Sequence, residues 1–79
     1  MKLKVTVMPK TGVLDPQGKA IAQALAGLGF EGVTDVRAGK VMILEVAESD
    51  PAAARAAGEA MARRLLANTV IESFSVELA

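Results

Sequence analysis

An α+β fold with the element order βαββαβ is what this 79-residue sequence predicts, and three observations predict it. Apolar and polar residues alternate from Lys2 to Met8 and again from Ser73 to Leu78, the period-two pattern of half-buried strands. Asp-Pro precedes a helical pattern twice, at Asp15-Pro16 and Asp50-Pro51, 35 positions apart, which divides the chain into two similar βαβ halves. Short runs rich in β-branched residues flank Gly39 and Lys40, as in a hairpin. A chain of this length forms one domain, residues 1–79, because fewer than about 100 residues rarely support two cores.

The first strand places Leu3, Val5 and Val7 on one face and Lys2, Lys4 and Thr6 on the other. After the loop Pro9 to Leu14, Asp15 supplies a side-chain acceptor at the helix entrance and Pro16 a preset φ at the first helical position. Ile21, Ala24, Leu25 and Leu28 follow at i, i+3, i+4 and i+7, and Gly29 can take the left-handed cap that stops the helix. Thr34 to Ala38 and Val41 to Ala47 read as two strands closed by a tight turn at Gly39-Lys40. The second helix opens at Asp50-Pro51 with an apolar stripe of Ala54, Ala57, Met61 and Leu65, opposite Arg55, Glu59 and Arg63. Asn68 is a left-handed stop, and Phe74, Val76 and Leu78 alternate with Ser73, Ser75 and Glu77 in the last strand. This is a ferredoxin-like layout: a four-stranded antiparallel sheet of spatial order 4-1-3-2, with two right-handed crossovers placing both helices on one face.

The hydrophobic fraction is 52%, but fifteen of those 41 residues are alanine, leaving 26 larger apolar side chains for a core. A chain this small, with mean hydropathy +0.37, is expected to hide apolar area in a partner. Val41 and Ile43 point to the sheet face without helices, where a solvated sheet carries polar residues, and are the candidates for self-association.

Absences exclude whole classes of chemistry. With no Cys and no His, the chain forms no disulfide, no thiolate–imidazole zinc site, no cysteine nucleophile and no histidine triad. Nine basic residues balance nine acidic ones, so no net field attracts nucleic acid or an anionic membrane. Two Phe without Tyr or Trp make no base-stacking platform. The longest strongly apolar run, Val41 to Leu44, is four residues, and no apolar signal region opens the sequence, so the expected location is the cytoplasm.

Few residues offer chemistry. Asp15 and Asp50, each directly before a proline, read as helix caps rather than general bases. Gly39-Lys40 is not a phosphate loop, because Val41 replaces the required Ser or Thr. Gly29-Phe30-Glu31-Gly32 lacks the surrounding positive charge of a nucleic-acid clamp. Asp35 and Arg37, alternating on one strand, serve equally well for docking a partner or for protecting a sheet edge. Arg37 and Lys40, before and after a glycine, would place two long cations at the tip of the expected hairpin.

Three stretches carry a resemblance: Val13-Leu14-Asp15-Pro16-Gln17-Gly18, Asp35-Val36-Arg37-Ala38-Gly39-Lys40 and Leu65-Leu66-Ala67-Asn68-Thr69-Val70-Ile71-Glu72. Their order and spacing resemble the signature stretches of the PurS family, small subunits of phosphoribosylformylglycinamidine synthase, and the match covers the full length. The resemblance implies membership of a multi-subunit ligase of purine synthesis. That enzyme converts formylglycinamide ribonucleotide, glutamine and ATP into formylglycinamidine ribonucleotide, glutamate, ADP and phosphate. It implies a PurQ-type glutaminase that releases ammonia from glutamine with a catalytic cysteine, and a PurL-type synthetase that holds ATP and Mg. Homodimers, or dimers of dimers, of the small subunit would help to join the two. No catalytic residue, cofactor or metal is expected in this chain. Asp15, Gln17, Asp35, Arg37, Lys40, Asn68 and Thr69 are the candidate docking residues.

The same element order also serves sensing domains of the ACT type, RNA-recognition domains and acylphosphatases, so fold alone does not choose. Val5, Val7, Ile43 and Leu44 stand where RNA recognition needs aromatics, and Met8 to Leu14 offers Lys10 and Gly12 but no phosphate-cradling arginine. An ACT-like small-molecule-sensing module is the remaining alternative.

Overall fold

Strand β1 (Lys2–Pro9), helix α1 (Pro16–Gly27), strand β2 (Lys40–Glu45), helix α2 (Pro51–Met61) and strand β3 (Glu72–Leu78) follow one another in a computed structural model that describes residues 1–79. The sheet is antiparallel and three-stranded, in the order β2-β1-β3. Its register pairs Leu3 with Leu44 and Leu78, Val5 with Met42 and Val76, and Val7 with Lys40 and Phe74. Leu3, Val5 and Val7 therefore lie at the centre of one face and are fully buried.

Helix α2 seats on β1 and β3. The residues that meet the sheet are small: Ala54, Gly58 and Ala62, spaced four apart, are buried. A Cβ on Gly58 would stand 2.9 Å from Leu3 Cδ1 and 3.0 Å from a Val76 methyl, so the absence of a side chain sets how closely helix and sheet approach. The expected stripe of Ala54, Ala57, Met61 and Leu65 is thus corrected: Ala54 belongs to the contact, whereas Met61 is exposed and Leu65 is 83% exposed. After Met61 the helix widens into a π segment, Ala62–Leu66, closed by a bond from the Ala67 N–H to the Ala62 carbonyl at 2.8 Å. The wider turn brings Leu66 against the core, with Leu65 in solvent. Asn68 is not left-handed, since glycines alone have positive φ. Its Oδ1 instead accepts the Val70 N–H at 3.2 Å, a local turn that ends the helix by side-chain competition.

Both helix entrances form as expected. Asp15 Oδ1 accepts the Gly18 N–H at 3.0 Å and Asp50 Oδ2 the Ala53 N–H at 3.2 Å, each followed by its proline. Gly29, at φ 96°, ends α1.

Two expectations about the sheet do not hold. Thr34 to Ala38 is not a strand, so the four-stranded sheet of order 4-1-3-2 loses its edge strand 2 and leaves 4-1-3, and Gly39-Lys40 does not close a hairpin. The polar backbone of this segment is engaged elsewhere: the Ala38 N–H donates to Asp15 Oδ2 at 2.7 Å, and the Val36 carbonyl rests against Gly18. Nor do both helices cover one face. Helix α1 projects beyond the end of the sheet, and Gly18 is its one buried residue. The molecule measures 48 × 23 × 14 Å, with a radius of gyration of 15.8 Å. A compact chain of this length would have a radius of about 12 Å.

Candidate functional site

Asp15 organises the root of the projecting arm. Its two carboxylate oxygens bind different parts of the chain, Oδ1 the first turn of α1 at Gly18 and Oδ2 the returning segment at Ala38. A Cβ on Gly18 would lie 2.0 Å from the Val36 carbonyl oxygen, so that segment reaches the helix only because residue 18 has no side chain. Arg37 folds back and donates from Nη2 to the Pro9 carbonyl at the end of β1. Lys40 opens β2, opposite Val7. These cations stand at the base of the arm rather than at a hairpin tip, because the hairpin does not form.

The third stretch arrives at the same end of the sheet. The Lys10 N–H donates to the Ile71 carbonyl at 2.8 Å, and Lys10 Nζ reaches the Thr69 carbonyl at 2.7 Å. The Asn68 N–H donates to Glu72 Oε1 at 2.7 Å, which fixes the turn between the π segment and β3. Residues 13–18, 35–40 and 65–72 thereby gather around Pro9 and Lys10. A cleft of about 560 Å³ opens between the loop after β1 and the returning segment, with Thr11, Asp15, Lys19, Thr34, Asp35 and Arg37 among its walls.

Of the candidate docking residues, Asp15 and Arg37 are tied into the root, while Gln17, Asp35, Lys40, Asn68 and Thr69 are exposed around it. Val41 and Ile43 lie apart from this cluster, more than half exposed on the helix-free face, where they oppose Thr6 and Lys4 of β1. Lys10 and Gly18 were not legible as site residues. Lys10 acts through a partner 59 positions away, and Gly18 through the atoms it leaves room for.

The N–H donors of Gly18 and then Ala38 hold the Asp15 carboxyl below the usual carboxylate range against the opposing effect of desolvation, with smaller help from the Gln17 N–H and the Arg37 charge. Since the folded pKa is depressed, its stabilising contribution is complete above the ordinary aspartate value and is lost as pH falls through the folded one. Urea midpoints of wild type and Asp15→Asn are expected to differ most above about pH 4 and to converge in stronger acid. A gap of constant size down to acid pH would show that the charge contributes nothing.

No helix is long and apolar enough to cross a membrane. A family model described as PurS, phosphoribosylformylglycinamidine (FGAM) synthase, matches residues 2–79. FGAM synthase subunit PurS of Bacillus subtilis (strain 168) is 46% identical over 77 residues, covering 98% of this chain and 90% of that protein. The PurS subunit of Methanocaldococcus jannaschii is 32% identical over 77 residues, 98% of this chain and 93% of that one. Among solved structures, B. subtilis PurS in its C2 crystal form aligns with a TM-score of 0.87 at 44% identity, over 99% of this chain and 96% of the other. A chain of the PurLQS structure from Thermotoga maritima aligns with a TM-score of 0.86 at 28% identity, over 99% and 95%. The three stretches that carried the resemblance converge at one end of a fold shared over almost its whole length, and the chain belongs to the PurS family, subunits of the FGAM synthase of purine biosynthesis.

Proposed function

We propose that this chain acts as a subunit without an active site of its own, joining a PurQ-type glutaminase to a PurL-type ATP-binding synthetase. In the assembled ligase, formylglycinamide ribonucleotide, glutamine and ATP become formylglycinamidine ribonucleotide, glutamate, ADP and phosphate. ATP and Mg belong to the synthetase. The convergence of the three stretches supports this reading, because it gathers exposed polar groups of both signs at one end of the sheet while the chain supplies no cysteine or histidine. A joint of this kind holds two active sites in register, so that ammonia passes between them at high effective concentration rather than dilute in bulk water. The family match leaves the ACT-like sensing alternative without support. The site of action is the cytoplasm.

Docking runs through Gln17, Asp35, Arg37, Lys40, Asn68 and Thr69 around the root fixed by Asp15. The subunit also associates with itself, as a dimer or a dimer of dimers, and Val41 and Ile43 supply apolar contact on the helix-free face.

Reconstitution with purified glutaminase and synthetase subunits tests the reading. Glutamine-dependent synthesis should require this chain, and the isolated chain should release neither ammonia nor phosphate. Joint replacement Arg37→Ala and Lys40→Ala should change folding stability by no more than about 1 kcal/mol, since both side chains are exposed. It should nevertheless weaken assembly and slow turnover. A double variant that assembles and turns over like wild type would remove these two cations from the docking surface. Full activity without this chain would sink the proposed role.

A further inference from the structure

The segment Thr34 to Ala38 lies outside the sheet, and none of its backbone N–H or C=O groups bonds to another backbone group. It is anchored along one side only. The Ala38 N–H donates to Asp15 Oδ2 at 2.7 Å, and the Val36 carbonyl oxygen rests against Gly18. A carbonyl at one residue and an N–H two residues on, both turned toward the start of α1, show the alternation of an extended chain. Asp35 and Arg37 therefore turn their backbone N–H and C=O groups to the opposite side, where no group of the chain bonds to them.

The side chains of these two residues agree with the backbone. Both are exposed, and neither forms an ion pair within the chain. Alternating charges of this kind serve docking or the protection of a sheet edge, and here there is no sheet edge to protect. An unpaired extended backbone is a template for strand addition, in which main-chain bonds supply affinity and alternate side chains supply specificity. Thr34 and Val36, both β-branched, suit a strand once one is offered a neighbour.

We propose that this segment receives an extended strand from another subunit of the synthase, bonded as a ladder to the N–H and C=O groups of Asp35 and Arg37. The incoming strand carries a basic residue opposite Asp35 and an acidic one opposite Arg37, the cross-strand complement of the two charges. This rests on the docking role proposed above and gives it a mode, backbone pairing in addition to side-chain contact. The occupant is another subunit because the segment stands at the end of the sheet where the three stretches converge, among the exposed Gln17, Lys40, Asn68 and Thr69.

Hydrogen exchange, labelled in the assembled synthase and read residue by residue after quenching, tests the pairing. In the isolated chain the Asp35 and Arg37 amides should exchange freely. On assembly both should slow by about a hundredfold or more, while the Thr34 and Val36 amides on the anchored side change little. That alternation separates strand addition from general burial, which slows all four amides, and from side-chain docking, which slows none. A second measurement uses proline. Asp35→Pro removes an N–H that has no partner in the folded chain, so its urea midpoint should match that of Asp35→Ala, which keeps the N–H. Its affinity for the other subunits should nevertheless be lower than that of Asp35→Ala by about tenfold, the worth of one lost ladder bond. Uniform protection, no protection, or Asp35 and Arg37 amides already protected in the isolated chain by a second copy would each overturn the proposal. Equal assembly of the proline and alanine variants would do the same. A synthase that requires this chain yet shows none of these signs keeps the family role without the added strand, whereas one that runs without this chain loses both.

Discussion

Leu3→Ala is expected to remove most of the stability of this chain. Leu3 has no exposed surface, pairs across the sheet with Leu44 and Leu78, and lies under Gly58 at the closest approach of α2. Truncating a buried leucine costs about 2–5 kcal/mol, the spread reflecting how far the surroundings can collapse into the space. Here they collapse little, because the row of small residues already holds the helix near its limit of approach. A domain of 79 residues has roughly 4–12 kcal/mol to lose. Chemical denaturation should show a strongly lowered midpoint or no cooperative transition. Val41→Ala, at an exposed edge position, should stay within about 0.5 kcal/mol. Similar midpoints for the two variants would show that the buried face of β1 is not the core.

Gly18→Ala should detach the returning segment from the arm. The added carbon would stand 2.0 Å from the Val36 carbonyl oxygen and 2.8 Å from Asp15 Oδ2, and the first of these is backbone that cannot swing aside. Overpacking of this kind costs about 1–3 kcal/mol, although alanine favours the helix itself by about 1 kcal/mol over glycine. The loss is therefore expected at the root and not in α1. Hydrogen exchange at the Ala38 amide, now bound to Asp15, should accelerate about tenfold or more, while amides of β1 keep their protection. Assembly with the other synthase subunits should weaken in parallel, because the arm carries two of the three converging stretches. Unchanged exchange at Ala38 would mean that the segment is held by something other than the Asp15–Gly18 contact.

The sequence alone determined the parts that follow from local rules. Alternation within a few residues made β1 and β3 legible, and Asp followed by Pro marked both helix starts, since capping and a fixed φ act within a single turn. It also placed Leu3, Val5 and Val7 on the buried face and, through three short stretches in order, pointed to the family. Only the tertiary structure decided where Thr34 to Ala38 went. Its residues suit a strand, but the Ala38 N–H is bound by Asp15, 23 positions earlier, and the Val36 carbonyl packs against the bare backbone of Gly18, and no periodicity records such contacts. The second helix shows the same limit. A stripe containing Met61 and Leu65 was the larger apolar face, yet the sheet took Ala54, Gly58 and Ala62, whose small size lets the helix close onto Leu3 and Val76 in tight packing. The projection of α1 belongs to this second class too: its apolar side reads as a core face, and whether a core face is covered within one chain or by another depends on the path of the backbone around it.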